Sequence, residues 1–153
     1  SNPKVATMLE FKNSKENGLG MPLPRGEVKM YRRDRDARNE FIGEDRIDHT
    51  PKDEMVRLKL GNAFDLAGER KQTDFKLDTG RREADESFES KVRNHKKELA
   101  EVRVVEHMYR CFQWDVREKS DEFAKTDART IEFRCKIAPD EEKTITYVVH
   151  YSW

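Results

Sequence analysis

A chain of 153 residues with 31 basic and 31 acidic side chains carries no formal net charge, so no long-range field draws it to nucleic acid or to an anionic membrane. Charged residues make up 41% and hydrophobic ones 35%, with a mean hydropathy of −1.05, close to the composition of chains that do not pack; eight Phe, four Tyr and two Trp supply the burial units that argue for a fold. No run reaches the roughly 18 apolar residues of a membrane helix and no basic-then-apolar leader opens the sequence, so direct membrane insertion is not expected.

Ser1-Asn2, without a methionine, reads as a cleavage scar on an excised piece of a longer protein. That leaves 3–153 as a single β-sandwich domain, with two β-subdomains divided near 78–86 as the alternative. The first run alternating apolar and polar residues is Val5 to Phe11, followed by the polar turn Lys12 to Gly18. The segment Asn17-Gly-Leu-Gly-Met-Pro-Leu-Pro-Arg-Gly26 then sets three glycines and two prolines between strand-like runs. Glycine supplies turn angles, while Pro22 and Pro24 fix φ and push Met21 and Leu23 into extended chain. A phosphate-binding reading of Gly18-Leu-Gly20 fails on context, because no helix and no Gly-Lys-Ser/Thr triplet follows. The segment is expected to be a structural turn feeding an edge strand.

Strands are next expected over Val28 to Tyr31 and Phe41 to Ile47, with a turn at Asp48 to Asp53, where Pro51 would interrupt a central strand. Met55 to Leu60 alternates cleanly, setting Arg57 and Lys59 opposite Val56, Leu58 and Leu60. Asn62 to Gly68 reads either as a short helical turn or as a loop stapled by Phe64 and Leu66. Glu69 to Leu77 is extended and ends at the turn Asp78-Thr-Gly80. Ser87 to Arg93 and Val102 to Tyr109 flank the polar connection Asn94 to Glu98, whose length predicts a β-hairpin. Trp114 to Val116, Thr130 to Ile137 and Thr144 to Trp153 complete the set. In the last of these, Ile145, Tyr147, Val149 and Tyr151 share one face, and Thr146, Val148, His150 and Ser152 the other. The expected fold class is all-β, a mainly antiparallel β-sandwich of roughly nine to eleven strands, since one-sided strands must bury that side against a second layer.

The chemistry-bearing residues form no recognised motif. His49, His95, His107 and His150 lack metal-ligand spacing, although His107 and His150 lie on expected strands where tertiary proximity could pair them. Cys111 and Cys135 fit no zinc or redox spacing; a disulfide is one reading, and an inert buried thiol at Cys135, on the parity of Ile131, Phe133 and Ile137, is the other. Ser14, Ser87, Ser90, Ser120 and Ser152 lack a nucleophile elbow. Glu106 shares the parity of Val102 and Val104, so an undisturbed strand would point its carboxylate inward. It then needs an arginine partner, unless a bulge at Val104-Val105 returns it to solvent or it serves catalysis. Tyr109, Phe112 and Trp114 form the best candidate recognition surface, with core packing as the competing role, and Trp153 is a candidate cap. No catalytic residue, metal site or cofactor is expected.

Four segments together resemble the bacterial domain of unknown function family 4139, the C-terminal part of proteins similar to mucoidy inhibitor A. They are Glu16 to Tyr31, Phe41 to Pro51, Val92 to Lys96 with Val102 to Glu106, and Thr144 to Trp153. The resemblance covers nearly the whole chain after Ser1-Asn2. It implies a β-rich, immunoglobulin-like fold and a periplasmic, cell-envelope or secreted location, with an upstream region carrying a signal sequence. It supplies no catalytic residue. The chain departs from the family pattern at Cys111 and Cys135, where an aromatic or aliphatic residue is expected, so no disulfide is carried over.

The functional expectation is a noncatalytic structural or protein-interaction domain of a bacterial envelope or secreted protein, recruiting a protein partner through its surface or an edge strand. The alternatives are a carbohydrate-binding module that presents Tyr109, Phe112 or Trp114 to a glycan and, less favoured, a hydrolase with convergent carboxylates. Nucleic acid is not an expected partner.

Overall fold

The computed structural model describes residues 4–153 as eleven β-strands in antiparallel sheets, with one short 3-10 turn at Lys15–Asn17. The cleavage reading of Ser1-Asn2 lies outside the described residues. The chain is all-β, and it divides into two compact units, Val5–Ala63 and a second containing Phe64–Trp153. The division falls at 63/64 and not near 78–86. Residues 79–82 instead form the turn of the longest hairpin, where Asp78 Oδ1 accepts the Arg81 N–H at 3.0 Å and Arg82 sits at φ 57°.

The first unit holds β1 (Ala6–Lys12), β2 (Gly26–Arg33), β3 (Asn39–Ile47) and β4 (Met55–Asn62). β1 pairs with β4 and β2 with β3. Met30, Val56 and Leu58 are buried, with Phe11, Leu23, Val28, Ile47 and Leu60 against them, as the alternation of β4 predicts. The backbones of β3 and β4 approach closely at Gly43, where a Cβ would lie 2.9 Å from the Leu60 carbonyl oxygen.

The glycine-rich segment is a structural turn, as expected. Gly18 caps the 3-10 turn at φ 75°, Gly20 takes φ 98°, and extended Leu23 pairs with Thr50 before the chain enters β2. Asn13 holds it in place. Its fully buried side chain donates to the carbonyls of Met21 (2.8 Å), Pro51 (3.0 Å) and Thr50 (3.3 Å), and accepts the Gly20 N–H at 3.1 Å. One amide thus adds to the single Leu23–Thr50 bridge the polar contacts that two irregular segments otherwise lack.

The second unit holds β5 (Leu66–Asp78), β6 (Glu83–Asn94), β7 (Ala100–His107), β8 (Gln113–Lys119), β9 (Ala124–Asp127), β10 (Thr130–Ile137) and β11 (Glu142–Ser152). They form a four-stranded sheet, β5-β6-β11-β8, and a three-stranded sheet, β7-β10-β9. One core of Phe88, Val92, Val102, Ile131, Phe133, Ile137, Ile145, Tyr147, Val149 and Tyr151 draws on both sheets, which makes this unit a β-sandwich. Ile145, Tyr147, Val149 and Tyr151 all face inward, as their parity predicts.

Three expectations need correction. Ser87 to Arg93 and Val102 to Tyr109 are not a hairpin: β6 and β7 lie in different sheets, and the connection 95–99 arches from one to the other. Asn94 pins that arch, its fully buried amide donating to the carbonyls of Glu98 and Ile137, each at 2.9 Å, and accepting the Lys96 N–H at 2.8 Å. Asn62 to Gly68 is neither helical nor stapled by both apolar residues, since Leu66 packs on the core while Phe64 is fully exposed. The four-plus-three split matches a constant-type immunoglobulin sandwich, but the strand order does not. Here the last strand, β11, sits between β6 and β8, whereas in that fold the last strand joins the smaller sheet.

Candidate functional site

Three inward or shielded carboxylates show what the sandwich does with charge. Glu106 points inward with no register shift along β7, so the bulge alternative does not hold. Its oxygens accept Arg70 Nε at 3.0 Å each, Tyr147 OH at 3.0 Å and Ser90 Oγ at 3.4 Å, and Arg70 stacks 4.1 Å from the centre of the Phe88 ring. Burial works against the Arg70 charge, yet the hydrogen bonds and charge of Glu106 outweigh it and raise the arginine pKa. Burial first, and then the Glu106 charge, holds the Tyr147 phenol well above its ordinary value. The carboxylate is thus held in a structural ion pair with an arginine, the partner its inward parity requires.

Glu86 on β6 is 0% exposed and is forked by Arg110, with Tyr109 OH at 3.4 Å from Oε2. The hydrogen bond to Glu86 raises the Arg110 pKa in spite of partial burial, and burial plus the Glu86 charge pushes Tyr151 up to about 12. Glu132, on the outer side of β10, is covered by Arg103 and Arg134, with Arg134 Nε at 2.9 Å.

The histidines are spread apart. His49 Nδ1 lies 3.3 Å from the Arg25 N–H, His95 sits in the β6–β7 arch, and His107 Nδ1 lies 3.1 Å from Thr130 Oγ1. His150, on the outer face of β11, has Nδ1 2.6 Å from Asp85 Oδ1 and Nε2 4.0 Å from Glu83 Oε1. His107 and His150 occupy different sheets, so the fold does not pair them. Among the described residues no cluster of three or more His, Cys, Asp or Glu is arranged to hold a metal ion. Cys111 and Cys135 are both free thiols; Cys135 is buried, and burial raises its pKa, which is the inert-thiol alternative.

The aromatic residues singled out in the sequence lie on or beside the β7–β8 loop. Phe112 is 80% exposed and Tyr109 59% exposed, whereas Trp114, at the second position of β8, is half-buried against the core. They do not form one stacked platform, because among the described residues no ring pair joins two of the three. Tyr109 leans with Arg110 towards Glu86, the guanidinium lying 5.3 Å from its ring centre. Phe112 and Trp114 instead meet the β9–β10 turn. The Arg129 guanidinium stands 3.8 Å over Phe112, Trp114 Nε1 donates to the Ala128 carbonyl at 3.0 Å, and Lys125 Nζ is 4.7 Å from the Trp114 ring centre. Trp153 is half exposed, with its backbone N–H donating to the Arg82 carbonyl at 3.1 Å. Sequence reading found the aromatics and missed the arginines and lysine over them, because those come from turns and strands that only the sandwich brings together.

The chain matches no family model, no curated protein and no solved structure. Among the described residues no helix is long and apolar enough to cross a membrane.

Proposed function

We propose that this chain is a noncatalytic protein-interaction domain of a bacterial envelope or secreted protein, and that the β7–β8 loop with Tyr109, Phe112 and Trp114 is its contact surface. The observation that carries the reading is the 80% exposure of Phe112 beside a stacked arginine. Aromatic residues and arginine dominate the energetics of protein interfaces, and covering a ring of this size is worth about 2 kcal/mol. The inward carboxylates support the reading from the other side, since Glu106 and Glu86 spend their hydrogen-bonding capacity on arginines and tyrosines of the fold. The envelope or secreted location rests on the resemblance of the four sequence segments.

A crosslinking pull-down from bacterial envelopes with the intact chain, analysed by mass spectrometry, tests it. A partner recovered by the wild-type chain and lost with Phe112→Ala supports the surface. Equal recovery by both moves the contact elsewhere, and recovery of nothing above background overturns the reading.

A further inference from the structure

The β9–β10 hairpin presents two cations that no carboxylate holds among the described residues. Arg129 stacks 3.8 Å over exposed Phe112, and its Nε is buried with no hydrogen-bond partner among the described residues. Lys125 lies 4.7 Å from the centre of the Trp114 ring. Neither joins an ion pair among the described residues, in contrast to Arg110, which Glu86 neutralises on the Tyr109 side of the same loop. The nearest acid in sequence, Asp127, accepts the backbone N–H of Arg129 at 2.8 Å; this bond and Thr130 lower its pKa, so the turn itself uses that carboxylate.

A buried donor without an acceptor costs the fold a hydrogen bond, and an exposed phenyl ring costs it apolar contact with water. Both features sit on the same two side chains, and a single ligand answers both if its carboxylate pairs with the outer guanidinium nitrogens of Arg129, or shifts the side chain enough to reach Nε, while an apolar group covers Phe112. Stacking also restricts the guanidinium before any ligand arrives, which lowers the ordering entropy of a charge-assisted contact.

We propose that Phe112, Trp114, Lys125 and Arg129 form a docking patch for an acidic segment of a protein partner, one in which carboxylates alternate with apolar side chains. This deepens the protein-interaction reading and rests on it. Charge complementarity selects the occupant: two cations outside any ion pair among the described residues, set over aromatic rings, attract carboxylates, whereas a neutral sugar ring leaves both charges unanswered.

The test uses the full chain and a fluorescein-labelled peptide of alternating glutamate and phenylalanine, read by fluorescence anisotropy. Its controls are the same peptide with glutamine for glutamate, and a labelled oligosaccharide of uronic acids. The glutamate peptide is expected to bind in a salt-sensitive way. Arg129→Gln is expected to weaken it about tenfold, the loss of one charge-assisted hydrogen bond, with Lys125→Gln weakening it less and Arg129→Lys partly restoring it. Circular dichroism of each variant shows that the sandwich is retained. Equal binding of the glutamine peptide, indifference to Arg129→Gln, binding of the uronate alone, or no binding of the glutamate peptide each overturns the acidic-segment proposal. If the envelope pull-down still yields a partner lost with Phe112→Ala, the interaction reading stands while the acidic chemistry falls.

Discussion

Arg70 on β5 sets its Nε 3.0 Å from each carboxylate oxygen of Glu106 on β7, so one charge-assisted fork ties the edge strand of one sheet to the edge strand of the other. Both strands are edges, with no ladder partner on the outer side among the described residues, and a side-chain contact between the layers does there what backbone pairing does within each sheet.

Removing the cation alone is the costly change. Arg70→Met leaves Glu106, 4% exposed, without its counter-charge, and is expected to destabilise the chain by about 3 kcal/mol, the low end for a broken buried pair because the arginine side chain is one-third exposed. Glu106→Gln keeps the shape and removes the charge, and is expected to cost about 1 kcal/mol less. The double variant Arg70→Met with Glu106→Leu should recover most of the loss, since apolar replacement of both partners is often neutral. Urea denaturation of these variants and of Glu106→Leu alone measures the differences, and additive losses in the double variant would show that the two residues do not act as a pair.

The alkaline limit of the second unit follows from its buried phenols. Burial and the Glu86 charge push Tyr151 up to about 12 from an ordinary 10.0, and Tyr147 is raised by burial and Glu106. The fold holds the neutral phenol, while the unfolded chain ionises at its ordinary value. The unfolded state therefore binds fewer protons once the pH passes 10, and stability is lost as the pH climbs towards 12. Below pH 10 this contribution is intact. Phenolate absorbance and fluorescence followed together should show late ionisation coinciding with unfolding, and Tyr151→Phe should shift the midpoint upward.

What the sequence reveals is which way a strand faces, and what it hides is which strand lies beside it. Ile131, Phe133 and Ile137 on β10, and Ile145 to Tyr151 on β11, declare the core by parity alone. The β6–β7 connection looks like a hairpin because its length suits either a hairpin or an arch between sheets; the choice depends on both strands turning apolar faces to one shared core. β9 escapes detection because Ala124–Asp127 is only four residues long and exposed at every position, so no alternation marks it. Phe112 and Trp114 are legible as aromatics, but Arg129 and Lys125 reach them only through β9 and its turn. Glu86 shares the parity of Phe88 and Val92, a signal that was available, yet its partner Arg110 lies on a loop whose position no periodicity records.

Asn13 is expected to control the first unit in the same way that a cap controls a helix end. Asn13→Ala removes the amide whose two N–H groups share the carbonyls of Met21, Pro51 and Thr50, and takes away the acceptor of the Gly20 N–H. At about 1 kcal/mol for each group left without a partner, and with the Thr50 carbonyl still accepting the Leu23 N–H, the loss is on the order of 3 kcal/mol. Hydrogen exchange should show it first at the Gly20 amide, which loses its acceptor, and unchanged protection there would contradict the hub role.

Asn94 offers the sharper version of the experiment, because it joins two arches. Its side chain donates to Glu98 and Ile137, while its backbone N–H donates to the Glu141 carbonyl at 2.9 Å and its backbone carbonyl accepts the Asp140 N–H at 2.8 Å. The β6–β7 and β10–β11 connections are thereby held at the same end of the sandwich. Asn94→Asp keeps the volume and the bond from Lys96 but sets a charged acceptor against two carbonyls, so it should destabilise more than Asn94→Ala, which leaves only unpaired groups and a small cavity. Acidification distinguishes the two. A protonated carboxyl regains one donor, so the Asp variant should gain stability relative to the Ala variant as the pH falls through the carboxyl range. A thermal-melt series that shows the two variants moving in parallel with pH would show that the Ile137 and Glu98 carbonyls are not what Asn94 is there to satisfy.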